Sequence, residues 1–98
     1  MSRRVEVSVR HDAAGHRFDA LVGDQVAGHV SYRRDGDGPF DLHHTEVEES
    51  YEGQGVGSAL ASGTLEQVRS MGAKVIPSCP FIKRYIDEHE VYADLVAR

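Results

Sequence analysis

The stretch that decides the fold reads Phe40-Asp41-Leu42-His43-His44-Thr45-Glu46-Val47, then Glu48-Glu49-Ser50-Tyr51, then Glu52-Gly53-Gln54-Gly55-Val56-Gly57-Ser58-Ala59-Leu60. The first part is extended, with a polar end. The second is an acidic connector. The third is a glycine turn that runs straight into an apolar pattern of helical period. The first turn of a helix leaves backbone N–H groups unpaired and carries the positive end of the helix dipole. Glycines let an anion approach that backbone without Cβ atoms in the way. The spacing therefore predicts a phosphate or pyrophosphate site at the N-terminus of a helix beginning near Val56.

Two common phosphate motifs do not fit. A P-loop ends in Gly-Lys-Ser/Thr, whereas Gly57-Ser58-Ala59 supplies no lysine. A dinucleotide fingerprint needs a third glycine where Ser58 stands.

Upstream, Val5, Val7 and Val9 alternate with polar residues and predict a strand over Arg4–Arg10. His11–Gly15 reads as a turn. Arg17–Val22 alternates again, Gly23-Asp24 is a tight turn, and Gln25–Arg33 is a third strand with Val26, Val30 and Tyr32 on one face. These strands should form an antiparallel meander. Asp35–Pro39 is a solvated loop, because the calcium-loop pattern fails beyond Gly38. Phe40–Val47 is the fourth strand. His43 and His44 are neighbours on it, so simple alternation points them to opposite faces and argues against a joint metal site; no metal is expected.

Downstream, Val56–Met71 reads as a helix with Val56, Leu60, Thr64, Val68 and Met71 on its apolar side, flanked by Ala61 and Leu65. Gly72 ends it. Gly63 inside it costs roughly 1 kcal/mol against alanine and implies close packing on the sheet. Ala73–Ile76 is a fifth strand, parallel to the fourth because a helix connects them. Pro80 suits the first position of a second helix carrying Phe81, Ile82, Tyr85, Ile86 and His89. Val91–Arg98 adds a further turn or two anchored by Tyr92, Leu95 and Val96.

The chain has 98 residues, a net charge of −5 and one cysteine, Cys79. That length makes one small domain, 1–98. The acidic balance argues against a nucleic-acid binder. No apolar run is long enough to span a bilayer, and no secretory apolar region follows Met1-Ser2-Arg3-Arg4. With no internal disulfide open to it, the chain is expected in the cytoplasm, and it is expected to be a monomer.

The combination of His44-Thr45-Glu46-Val47, Gly53–Gly57, Pro77-Ser78-Cys79-Pro80-Phe81 and Tyr92–Val96, in that order, resembles the small single-domain, YjdJ-type GNAT-like N-acetyltransferases over nearly the whole chain. Gly55-Val56-Gly57 matches the G-x-G/A part of the superfamily's Q/R-x-x-G-x-G/A loop, while the Q/R position falls on Glu52. The resemblance implies a truncated GNAT fold of mixed α+β type, in which a meander leads to a strand–helix–strand unit and short C-terminal helices. It implies acetyl-CoA in a cleft where the fourth and fifth strands splay. The pantetheine arm would pair with the backbone of Thr45, Glu46 and Val47. The pyrophosphate would lie on the amides of Gly53, Gln54, Gly55, Val56, Gly57 and Ser58. Cys79 maps onto the family's proposed catalytic cysteine.

The chemistry of these residue types agrees with that role. The positive end of a helix favours a thiolate at Cys79, with Lys83 and Arg84 in the turns that follow, and a thiolate can accept and pass on an acyl group. The competing route is direct attack by an amine, with His44 or Glu46 as base and Tyr85 as acid. The resemblance implies an amine acceptor; with the chain opening directly on its first strand, the acceptor groove is expected to be open, which suits a lysine on a protein surface or a small amine. The alternatives are a non-catalytic acyl-CoA binding or sensing module and an interaction domain without a cofactor.

Overall fold

A computed structural model describes residues 5–97. Strands form where apolar and polar residues alternate: β1 (Ser8–Asp12), β2 (Arg17–Val22), β3 (Gln25–Arg33), β4 (Phe40–Val47) and β5 (Val75–Ile76). They form one sheet in the order β1-β2-β3-β4-β5, antiparallel as far as β4, with β5 parallel to β4. The expected meander and the parallel fifth strand are both present.

β1 is displaced from its expected bounds. It begins at Ser8 and continues through His11 and Asp12, which read as a turn in the sequence. Side-chain packing holds His11 in the sheet: its ring stacks on Phe18 at 4.4 Å, and its Nε2 lies 2.7 Å from the Tyr32 hydroxyl. The turn falls at 13–16 instead, where His16 takes a positive φ of 53°. Val5, Val7 and Val9 still pack against the core. Arg4, the expected start of that strand, and Arg98, the last residue of the final turn, lie outside the described residues.

Two bulges change which face a residue presents. Ala20 pairs with Gly28 but Leu21 with Val26, so Ala27 is an extra residue in β3. One inserted residue reverses the alternation beyond it. Ala27 is therefore fully buried, and Val26, expected in the core beside Val30 and Tyr32, is 39% exposed. Between β3 and β4, Ser31 pairs with His44 but Tyr32 with Leu42, which leaves His43 as the extra residue. His43 and His44 are both exposed, and simple alternation no longer separates them. After this bulge Thr45 pairs with Val30 and shares its helix-side face, while His44 and Glu46 pair with Ser31 and His29 on the opposite face.

α1 (Val56–Ser70) packs Val56, Leu60, Ala61, Thr64, Leu65 and Val68 onto β1–β4. Gly63 faces Val9 so closely that any Cβ there would collide with the valine side chain. Met71, expected on the apolar side, is exposed because the helix closes at this residue and Gly72 turns away with φ 69°. After β5, α2 (Pro80–Glu88) starts with Pro80 in its first turn and buries Ile82 and Ile86. The chain then makes a 3-10 turn over Glu90–Leu95 rather than more α-helix, and Val96 forms a parallel bridge to Val75 that extends the sheet edge. The Tyr92 hydroxyl donates to Glu66 at 2.8 Å, and Arg69 holds Asp94 through two hydrogen bonds, tying this segment to α1.

On the sheet face opposite α1, Arg10, Asp19, His29 and Glu46 form one cross-strand row. Asp19 is wholly buried there between Arg10 (2.9 Å) and Arg17 (3.0 Å).

Candidate functional site

β4 and β5 pair only at Phe40–Val75 and Asp41–Ile76. One step further, the Cys79 amide donates to the Leu42 carbonyl at 2.8 Å, and no later residue of β4 pairs with β5. Among the described residues the outer edge of β4 is thus unpaired along Thr45–Val47, where strand-edge N–H and C=O groups can take an extended partner. A cavity of about 470 Å³ lies along this edge, lined by Thr45, Glu46, Val47, Tyr51, Glu52, Gly53, Gly55, Val56 and Gly57.

The glycines shape its far end. Gly53 (φ 80°) and Gly55 (φ 83°) turn the chain through the left-handed region, which other residues enter only with strain. The first ladder bond of α1 runs from the Ala59 amide to the Gly55 carbonyl at 3.1 Å. The amides of Val56, Gly57 and Ser58 precede it and have no acceptor within the helix. At Gly57 a Cβ would stand 3.1 Å from the Phe81 ring and 3.8 Å from Val47. Phe81 thus covers Gly57 from α2 and lines a groove beside it, a contact that its sequence position did not signal.

Gln54 and Ser58, singled out in the loop for their backbone amides, are not among the residues that line this cavity. The Gln54 side chain folds back to donate to the Ser50 carbonyl at 3.1 Å. Ser58 lines an adjoining groove of about 180 Å³ with Phe81, Arg84, Tyr85, Glu88 and His89. Tyr85 belongs to that groove, stacked on His89 at 3.9 Å, and not to the cavity beside Thr45. The cavity also has an acidic rim. Glu52 lines it, and Glu48 and Glu49 are exposed in the connector.

Cys79 occupies the N-cap position of α2 and is only 5% exposed. Its sulfur makes no capping bond and instead lies 3.3 Å from the Thr45 hydroxyl. This contact joins residues far apart in sequence, and nothing in the pattern announced it. Lys83 and Arg84 pair with Asp87 and Glu88 one turn further along, each at 3.4 Å. His44 and Glu46 approach each other at 3.4 Å on the opposite face of β4. Among the described residues, no group of three or more His, Cys, Asp or Glu side chains is placed to hold a metal ion, and no helix is long and apolar enough to cross a membrane. A larger recess of about 510 Å³ sits at the other end of β4, between Pro39, Lys74 and Asp94, and contains none of the expected site residues.

A mixed sheet that opens beside its short parallel strand, with a glycine turn and helix N-terminus at the opening, is a small GNAT-like α+β fold. The chain belongs to the GCN5-related N-acetyltransferase family, whose model matches residues 17–95. Protein NATD1 of Gallus gallus and of Mus musculus are each 31% identical to it over 84 residues, 85% of this chain and 76% of theirs. Protein NATD1 of Homo sapiens is 31% identical over the same length, 74% of its own. The solution structure of a GCN5-like protein from Staphylococcus aureus matches with a TM-score of 0.66 at 26% identity, over 96% of this chain and 89% of that one. The family as a rule uses acyl-CoA.

Proposed function

We propose that this chain transfers an acyl group, acetyl in the first instance, from acyl-CoA to an amine, by way of an acyl-cysteine at Cys79. The observation that carries this reading is the continuity of the opening. One cavity runs from Thr45, whose hydroxyl meets the Cys79 sulfur, along the free edge of β4 to the unpaired amides at the start of α1.

The residues present fit such a donor. Thr45, Glu46 and Val47 offer edge backbone to an amide-bearing arm. Gly53, Gly55, Val56, Gly57 and Ser58 offer N–H groups and the helix dipole to a pyrophosphate. Gln54 contributes only backbone, since its side chain is engaged with Ser50. Glu52 opposes the negative charge, so the backbone carries the binding. The bound donor supplies a thioester carbonyl.

Cys79 attacks that carbon as the thiolate. A new carbon–sulfur bond forms while the bond to the CoA sulfur breaks, and CoA leaves as a thiolate that takes up a proton from solvent. The amine then attacks the acyl-cysteine. Its nitrogen gains the acyl group, its proton passes to His44 or Glu46, and Cys79 leaves as thiolate. Thr45 donates a hydrogen bond to the sulfur in its charged form. His44 and Glu46 lie on the face opposite the glycine loop, so donor and acceptor approach β4 from two sides. A free cysteine nucleophile suits a reducing compartment such as the cytoplasm.

The burial of Cys79 favours a second reading, an acyl-CoA binding module in which the cysteine only packs. One experiment separates the two. Acetyl-CoA is titrated calorimetrically into wild type and Cys79→Ala, and both are then incubated with it and weighed by intact-mass spectrometry. Saturable binding by both, in the micromolar range or about −8 kcal/mol, with one acetyl added to wild type alone, supports the covalent route. Binding without any adduct or CoA release supports the module. Amine acetylation that persists in Cys79→Ala replaces the covalent route by direct attack. No binding by either protein removes acyl-CoA from the account.

A further inference from the structure

α2 meets α1 where Phe81 covers Gly57, and the 3-10 segment is tied to α1 through Tyr92 and Arg69, so these helices gather on one side of the sheet. The opposite face is polar and open to solvent. It carries the row Arg10, Asp19, His29 and Glu46, and beside it the row Arg17, Ser31 and His44. The side chains of Arg10 and Arg17 are 56% and 43% exposed, and those of His44 and Glu46 55% and 57%. The acyl-transfer route uses only His44 and Glu46 of this face. We propose that the face docks the acceptor as an extended peptide, with its lysine at His44 and Glu46 and an acidic side chain of the same peptide on Arg10 and Arg17. The inference rests on the acyl-transfer reading above.

One buried group holds the arginine end in place. Asp19 is wholly buried although it belongs to the open face, with a guanidinium on either side of it. Arg10 Nη2 donates to Asp19 Oδ2 at 2.9 Å. Arg17 Nε lies 3.0 Å from Asp19 Oδ1, but the two buried atoms are too poorly aligned to hydrogen-bond. Asp12 makes a weaker claim on Arg17, since it lies 3.6 Å away and its Oδ1 already accepts from the Gly15 amide. The two guanidiniums are thus fixed side by side with N–H donors to spare. A carboxylate from outside accepts such a fork, and the fork is ordered before it arrives.

At the β4 end, the His44 ring and the Glu46 carboxylate stand 3.4 Å apart and flank Thr45, whose hydroxyl meets the Cys79 sulfur. A lysine ammonium drawn to Glu46 is therefore beside the split between β4 and Cys79. β2 and β4 are two strand spacings apart, about 9.5 Å. Side chains on one face of an extended peptide recur at every second residue, so the second and fourth places from the lysine, about 7 and 14 Å away, bracket that span. An open face offers a small molecule no concave site, whereas an extended chain contacts several strands at once.

The test uses two short peptides, blocked at both ends, in which a central lysine is the sole amine and every second residue is alanine. Glutamate fills the remaining places in one, glutamine in the other. Acetyl-CoA binding is first measured by calorimetry, and peptide acetylation then by mass spectrometry, for wild type, Arg10→Gln, Arg17→Lys and Arg33→Gln. Arg33 is the control, an exposed cation that pairs with Asp41 outside the two rows. The chain's net charge of −5 by itself favours the glutamine peptide, so a preference for glutamate is local in origin. Wild type is expected to acetylate the glutamate peptide with a kcat/KM about three- to tenfold higher. Arg10→Gln should bring that ratio close to one, and Arg33→Gln should preserve it. Arg17→Lys keeps a charge over Asp19 but loses the fork, so it should lower the ratio, and it serves where Arg10→Gln does not fold. A wild-type ratio of one or below, an equal loss in Arg33→Gln, or acetylation of a small amine with neither peptide accepted overturns the docking assignment while acyl transfer stands. If wild type binds acetyl-CoA but acetylates nothing, the transfer reading fails, and titration of the same peptides followed by fluorescence anisotropy decides the docking: a glutamate preference lost in Arg10→Gln supports it, and no preference overturns it. Failure to bind acetyl-CoA overturns the donor reading and this inference with it.

Discussion

Glu52 sets a carboxylate on the rim of a cavity whose floor is the positive end of α1. The two effects oppose each other for an anionic ligand. The unpaired amides of Val56, Gly57 and Ser58 are fixed and close, whereas Glu52 is exposed and screened by salt. Glu52→Gln is therefore expected to tighten acetyl-CoA binding about two- to fivefold at low salt, with the gain shrinking as ionic strength rises. Calorimetry at two salt concentrations checks it; an unchanged affinity at both would mean that the carboxylate does not feel the ligand. At this scale the sequence is an uneven guide. The glycine turn was legible because positive φ and an uncovered helix start demand a particular residue type. The contact between Thr45 and Cys79 was not, since a hydroxyl and a thiol carry no periodicity that links them. Nor does the place of Gln54 among the glycines announce that its side chain satisfies the Ser50 carbonyl locally.

Between elements, the closest approach is that of α1 to β1 at Gly63. Helix propensity alone favours alanine there by roughly 1 kcal/mol. The Val9 side chain occupies the place that a Cβ would need, and overpacking of this kind costs about 1–3 kcal/mol. The steric term wins, so Gly63→Ala should destabilise the protein, by up to about 2 kcal/mol. Adding Val9→Ala should recover part of that loss, because the two sites share one contact. Urea unfolding of both singles and the double gives the coupling; strict additivity would show that β1 shifts aside instead. The same strands show where reading from pattern ends. Strand bounds from β2 to β4 follow the alternation closely, but a bulge adds a residue without changing composition. Parity puts Val26 on one face with Val30 and Tyr32, yet it is exposed, while its neighbour Ala27 is buried. At His43 the second bulge sets the faces of Thr45 and Glu46.

Across the whole molecule, β4 joins two ends of different character. Its Thr45–Val47 end borders the candidate site, and its Phe40 end enters an aromatic cluster with Phe18, Tyr32 and His11. Burial, and after it the positive charge of Arg34, lowers the pKa of His11 below its usual 6.5, with Asp12 opposing. The sign of the linkage follows from that direction. Above 6.5 the ring is neutral in both folded and unfolded chains, and the packing against Phe18 is fully available. As pH falls through 6.5 the unfolded chain takes up the proton first, and stability is lost until the folded-state pKa is passed. Lowering the pH from about 7.5 to about 5.5 should therefore reduce the urea midpoint of wild type more than that of His11→Gln, whose side chain does not titrate. Equal shifts would assign the acid sensitivity to other groups. Because the cluster and the site lie at opposite ends of one strand, acid should act on the site only through unfolding of the whole domain. Acetyl-CoA affinity measured on the folded fraction should then stay level while the midpoint falls. A loss of affinity that precedes the loss of stability would place a titrating group in contact with the ligand.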